Sequence, residues 1–134
     1  MYCLHLTNDT HRIPELHTWL LRWQQELGIT ADRLFQIKLA LEEVIVNSMK
    51  YAYPEQKDMP IEVTMECRDD ELIFVIDDRG VAFDPTEVAN PDITQPAELR
   101  NAGGLGIFLT RQLAKSLSYT RLANHNRLTI TFDK

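Results

Sequence analysis

From Pro60 to Arg68 the chain alternates without a break, with Ile61, Val63, Met65 and Cys67 on one side and Glu62, Thr64, Glu66 and Arg68 on the other. A period of two sustained over that stretch fits a β-strand with one buried face and one wet face. Asp69-Asp70 supplies a polar turn, and residues 71–77 return through Leu72, Ile73, Phe74, Val75 and Ile76, which predicts an antiparallel hairpin. The apolar face of such a sheet needs a cover, and the rest of the chain supplies helices. Pro14 suits a helix start and Gly28 a helix end, and Leu16, Trp19, Leu20, Trp23 and Leu27 keep helical spacing between them. Thr30 or Asp32 caps a second helix, which runs to about Tyr53 before Pro54 stops it. Residues 105–117 read as a third helix. Tyr2, Leu4 and Leu6 mark a short first strand, and 118–122 and 127–132 pair around Ala123-Asn124-His125-Asn126. The predicted class is α+β: a two-layer α/β sandwich, mostly antiparallel sheet with helices on one face, forming a single domain over residues 1–134.

Composition narrows the function classes. A formal net charge of −6 argues against direct nucleic-acid binding, which calls for a basic face. The two cysteines, Cys3 and Cys67, are far apart without metal-ligand spacing, and His5, His11, His17 and His125 are scattered. No apolar run is long enough to span a membrane and no leader pattern is visible, so a cytoplasmic protein is expected.

Three short motifs carry chemistry, in a fixed order. Glu43 and Asn47 lie four residues apart on the second predicted helix and share a face, whereas Glu42 points about 140° away from Asn47. A lone helical glutamate is usually a solvated surface residue. Asn47 changes the weighting, because an amide among Val44, Ile45, Val46 and Met49 is out of pattern for a buried helix face. Together the pair can activate a nucleophile through Glu43 and ligate Mg²⁺ through Asn47. Lys50 extends the same stripe and is a candidate for a phosphate, or an ordinary surface lysine. Asp78-Arg79-Gly80 then leaves a strand: Asp78 can accept a hydrogen bond from an exocyclic amine, and Gly80 permits close approach or positive φ. Finally Gly103-Gly104-Leu105-Gly106 concentrates three of the five glycines at a helix start, where backbone N–H groups and the helix dipole favour phosphate. No Gly-Lys-Ser/Thr follows, which excludes a P-loop. Residues 84–102, with Pro85, Pro91 and Pro96, have little periodicity and are expected to form a lid; Arg100 within them is a candidate for the γ-phosphate or a free surface arginine.

Glu43-x-x-x-Asn47, Asp78-x-Gly80 and Gly104-x-Gly106, in that order, resemble the ATP-binding domain of the GHKL superfamily of gyrases, heat-shock chaperones, histidine kinases and mismatch-repair proteins. Within it, residues 78–85 and 103–109 are most similar to the stand-alone bacterial anti-sigma factor serine kinases. The resemblance implies a Bergerat-type fold holding ATP and Mg²⁺. It assigns Asn47 to Mg²⁺, Asp78 and Gly80 to the adenine side, Gly104 and Gly106 to phosphates, and Glu43 to deprotonation of the acceptor hydroxyl. It also places Lys50 near phosphate and Tyr51 near the nucleotide. One position departs from the pattern: Ala82 stands where the superfamily often has a second glycine, and alanine resists positive φ.

The implied function is a protein-serine/threonine kinase and anti-sigma-type regulator. Its expected partners are a STAS-type antagonist protein that accepts the phosphoryl group and a sigma factor, with Trp19, Trp23 and the first strand able to serve either a homodimer or the core. Two rival readings are a nucleotide-gated binding module without kinase turnover and a detached histidine-kinase catalytic domain.

Overall fold

A computed structural model of the protein describes residues 1–87 and 104–134, with backbone alone at 104 and 105. Strand β1 (Tyr2–Thr7) leads into helix α1 (Ile13–Leu27), and helix α2 (Ala31–Asn47) continues into one turn of π-helix (Ser48–Ala52). Strands β2 (Pro60–Arg68) and β3 (Glu71–Asp78) follow, then helix α3 (Gly104–Leu113) and strands β4 (Ser116–Leu122) and β5 (His125–Asp133). The five strands form one antiparallel sheet in the order β1-β2-β3-β5-β4.

Local chemistry sets the boundaries. Pro14 opens α1, where a missing N–H costs nothing, and Gly28 closes it in the left-handed region (φ 68°), returning its N–H to the carbonyls of Gln24 and Gln25. Of the two candidate caps for α2, Thr30 serves: its hydroxyl accepts from the Arg33 N–H at 3.1 Å. Asp69 takes positive φ (55°) in the two-residue turn between β2 and β3.

One face of the sheet is covered by the helices. Ile61, Val63 and Met65 of β2, Leu72, Phe74 and Ile76 of β3, and Leu128, Ile130 and Phe132 of β5 bury there against Leu16 and Leu20 of α1, Ile37, Leu41 and Ile45 of α2 and Ile107 of α3. Trp19 is a core residue, edge-to-face with Phe74, whereas Trp23 is partly buried and packs on Tyr2. On the open face Arg127 forms a two-pronged ion pair with Asp77, at 2.8 and 3.2 Å.

Two boundaries differ from the sequence reading. The third helix ends at Leu113, because the Lys115 N–H donates to Thr131 O at 2.7 Å and carries the chain into β4 at Ser116. The connection between β4 and β5 is Ala123-Asn124 alone, since Leu122 pairs with His125, and His125 and Asn126 belong to the strand. Of the expected lid at 84–102, residues 88–102 lie outside the described residues; near its start, Pro85–Glu87 is a short 3-10 turn capped by Asp84.

Candidate functional site

The inward rows of β3 and β5 run apolar along the sheet and then end in polar residues that face each other. Asp78 follows Leu72, Phe74 and Ile76, and Asn126 precedes Leu128, Ile130 and Phe132. The two are cross-strand partners, each 4% exposed, so a carboxylate and an amide close one end of the core. Asp77 points the other way, as the pleat requires.

The Asp78 carboxylate sits in a ring of donors. Its Oδ1 accepts from Asn126 Nδ2 at 2.8 Å and from the Gly80 N–H at 3.0 Å, and the Ser48 hydroxyl also bonds to the carboxylate. Burial still pushes its carboxyl above the ordinary carboxylate range, against the opposing pull of Asn126, Gly80, Ser48 and the Arg121 charge. The loop beyond Asp78 is tied down from both layers. Val81 N–H donates to Ala52 O at 2.9 Å, Arg79 N–H donates to the Tyr53 hydroxyl, and Arg121 Nη1 donates to Gly80 O at 2.9 Å. Tyr53 in turn donates to Pro60 O at 2.8 Å. The π turn at the end of α2 is what presents Ala52 O to this loop, and such insertions recur where a helix is bent to serve a site.

Gly80 is therefore needed for close approach and not for positive φ. A Cβ there would overlap the backbone of Ala52, and the only glycine with positive φ among the described residues is Gly28. Ala82 is exposed and has no positive φ, so this loop accommodates it without strain.

Glu43 is partly buried, and α2 packs against α3 such that a Cβ on Gly106 would overlap the Glu43 carboxylate. The absence of a side chain at Gly106 thus seats Glu43 against the first turn of α3, at the positive end of the helix. Asn47, one turn further along α2, is 6% exposed. Glu42 is directed elsewhere, to His17 of α1 at 3.2 Å. Tyr51 is 47% exposed and its ring lies 5.2 Å from that of Phe83, bridging the π turn and the Asp78 loop. Lys50 is exposed beside it. Of the residues singled out from the sequence, Arg100 and Gly103 lie outside the described residues, as does the side chain of Leu105; Gly104 is the first residue of α3.

Asn126, Ser48 and Arg121 escape the sequence reading. Asn126 had a legible signal: it continues the inward alternation of Leu128, Ile130 and Phe132, so a polar residue stands at a core position. The group is chemically suited to a purine nucleotide with Mg²⁺. It offers a buried acceptor for an exocyclic amine, a carboxylate and amide oxygen one turn apart, and a helix N-terminus for phosphate.

Residues 6–132 match the model of the histidine kinase-like ATPase domain. The chain is 28% identical over 115 residues to the serine/threonine-protein kinase BtrW of Bordetella bronchiseptica, covering 83% of this chain and 81% of that one. It is 32% identical over 90 residues to the serine-protein kinase RsbW of Listeria monocytogenes, covering 64% of this chain and 57% of the relative's length. By fold it superposes on the RsbU and RsbW domains of a Mycobacterium tuberculosis protein, with a TM-score of 0.67 at 16% identity, over 99% of this chain and 32% of that one. It also superposes on the catalytic domain of histidine kinase ThkA, with a TM-score of 0.56 at 14% identity, over 100% of this chain and 98% of that one. These two superpositions carry the Bergerat-like fold, and the match over residues 6–132 carries membership: the chain belongs to the histidine kinase-like ATPase domain family.

Proposed function

We propose that this chain is a cytoplasmic protein-serine/threonine kinase of the anti-sigma type, which takes Mg-ATP as phosphoryl donor and a serine on a small STAS-type antagonist protein as acceptor. A sigma factor is the second partner in this reading, with homodimerisation through β1 and α1 as a further part of it. The observation that carries the proposal is the seating of Glu43 against Gly106, one helical turn from buried Asn47. That arrangement sets a proton acceptor beside a helix N-terminus suited to phosphate. The serine-kinase names of the Bordetella and Listeria relatives support the choice of acceptor.

In the proposed reaction the acceptor hydroxyl oxygen bonds to the γ-phosphorus and the bond to the β–γ bridging oxygen breaks. ADP leaves with that electron pair, and the hydroxyl proton passes to the Glu43 carboxylate. Asn47 would hold Mg²⁺, which when bound neutralises charge on the phosphate oxygens. Asp78 fixes the base, and the start of α3, with Gly104 and Gly106, receives phosphate. Lys50, Tyr51, Arg100, Gly103 and Leu105 complete the proposed nucleotide contacts. Positioning and charge neutralisation supply most of such catalysis, and a general base adds about 10²–10⁴-fold.

The test is incubation with γ-labelled ATP, Mg²⁺ and a purified STAS-type protein. Acid-stable phosphoserine on the partner is expected from wild type, and Glu43→Ala should bind ATP while transferring about 10²-fold more slowly or worse. Acid-labile phosphohistidine would replace the reading with a histidine-kinase one, to which the likeness to ThkA gives some footing. Tight nucleotide binding with no transfer to any acceptor would leave a nucleotide-gated binding module.

A further inference from the structure

Strand β1 forms one edge of the sheet, and its alternation sends Leu4 and Leu6 toward the helical layer and Cys3 and His5 onto the open face. The β1–β2 register sets Glu62 directly opposite His5. Three side chains of different chemistry therefore meet at one place. Cys3 Sγ lies 3.5 Å from His5 Nε2, and His5 Nδ1 lies 3.6 Å from Glu62 Oε2. One ligand atom from each of the three stands within 4.8 Å of the other two, and no second group of this kind occurs among the described residues. Glu62 is at liberty to ligate. Its row continues across the sheet through Asp77 and Arg127, and Arg127 gives both of its prongs to Asp77, which leaves His5 as the ion-pair partner of Glu62.

We infer that Cys3, His5 and Glu62 form a Zn²⁺ site on the open face of the sheet, joining β1 to β2, with water in the fourth position. Zinc held tetrahedrally by sulfur, nitrogen and oxygen keeps those atoms about 3.3–3.6 Å apart. The Cys3–His5 separation already has that value, and a rotation of the half-exposed Glu62 side chain brings its oxygen to the same spacing. The donors come from two paired strands, so the ladder sets their positions before a metal arrives. A groove lined by His5, Glu62, Asp77, His125 and Arg127 adjoins the cluster, so the fourth position faces solvent.

The donor set fixes the class of metal. Thiolate and imidazole suit zinc, whereas Mg²⁺ takes oxygen ligands. The site is therefore separate from the Mg²⁺ position proposed at Asn47, which lies on α2 in the other layer, and it does not depend on the nucleotide reading. Linear spacing hides it. Cys3 and His5 offer only two ligands along the chain, and the third arrives through strand pairing alone.

The experiment titrates Zn²⁺ and Co²⁺ into untagged, reduced, nucleotide-free protein. Calorimetry should give a single zinc per chain, and cobalt should show a thiolate-to-metal charge-transfer band with the visible bands of tetrahedral coordination. Cys3→Ser should abolish the charge-transfer band, whereas Cys67→Ser, which changes the other thiol, should leave it intact. His5→Ala and Glu62→Gln should each weaken zinc at least about tenfold, since losing even an outer-shell partner costs that much. The melting temperature of wild type should rise with the logarithm of zinc concentration, and that of Cys3→Ser should not. These side chains lie at the surface, so the metal-free variants should melt close to wild type, which separates loss of a ligand from loss of fold. A charge-transfer band that survives Cys3→Ser, or a zinc affinity that is the same in wild type and every variant, would overturn the inference and leave only a thiol–imidazole contact on an edge strand.

Discussion

Burial raises the Asp78 carboxyl above the ordinary range, so the native state binds that proton more tightly than the unfolded chain does. The sign for stability follows. The contribution of the protonated form is present at low pH and is lost as pH rises from about 3.9, the unfolded value, through the higher folded one. Above that interval the folded protein carries a buried charge that Asn126, Gly80, Ser48 and Arg121 only partly offset. Asp78→Asn removes it, and should raise the melting temperature at neutral pH, with the gain shrinking as pH falls through the folded value and gone below about 3.9. The same variant should bind ATP roughly 10- to 100-fold more weakly, as loss of a charged acceptor implies. Scanning calorimetry across pH and a nucleotide titration read the two halves separately; a variant less stable at every pH would show that the donor ring outweighs burial. Gly106 belongs to the same scale. The three atoms nearest an added methyl there all belong to the Glu43 side chain, which can swing aside, so Gly106→Ala should fold but displace the proposed base. Transfer should fall about 10²-fold, and by far less in a Glu43→Ala background, because the two changes remove one interaction. Additive losses in that cycle would mean Gly106 acts independently of Glu43.

At the scale of elements, the π turn Ser48–Ala52 and the loop after β3 behave as one unit, locked by Val81 N–H to Ala52 O and by the Tyr51–Phe83 ring contact. Gly80→Ala would force Ala52 backbone aside, an overpacking cost of about 1–3 kcal/mol measurable by urea unfolding. Ala82→Gly is the opposite case. Alanine is unstrained there, so the family's second glycine should lower stability by about 0.5 kcal/mol and leave ATP affinity unchanged. A gain in affinity would show that the loop needs a conformation alanine denies it. The hairpin β2–β3, helices α1 and α2 and the inward rows were readable because alternation, helical spacing and the Pro14 and Gly28 caps all agree. The end of α3 was not readable, because Leu113 and Leu117 suit a helix as well as a strand and only the ladder to Thr131 decides. The π turn leaves no pattern of its own, since Ser48–Ala52 continues an ordinary helical sequence. Within the site, the face shared by Glu43 and Asn47 was legible from spacing, while the true neighbour of Gly80, the Ala52 backbone, arises from tertiary approach alone.

On the scale of the whole molecule, the proposed ligand would touch parts that fold together. Asp78 closes the same buried layer that contains Phe74 and Ile76, Asn47 ends a helix whose Ile37, Leu41 and Ile45 are fully buried, and α3 buries Ile107 in the same core. A nucleotide held by all three therefore binds the native state and has no counterpart in the unfolded chain, so its free energy adds to global stability. At a hundredfold excess over the dissociation constant the gain is about 2.7 kcal/mol, which for a domain of this size corresponds to a rise in melting temperature of roughly 10 °C. The rise should grow with the logarithm of ATP concentration. It should shrink when Mg²⁺ is removed with a chelator, because the phosphates then face Glu43 and the acidic chain without neutralisation. Asp78→Asn should need at least tenfold more ATP for the same shift. Thermal melts over an ATP series, with and without Mg²⁺, give all three comparisons. A melting temperature indifferent to millimolar Mg-ATP would mean that this member of the family keeps the fold without the nucleotide.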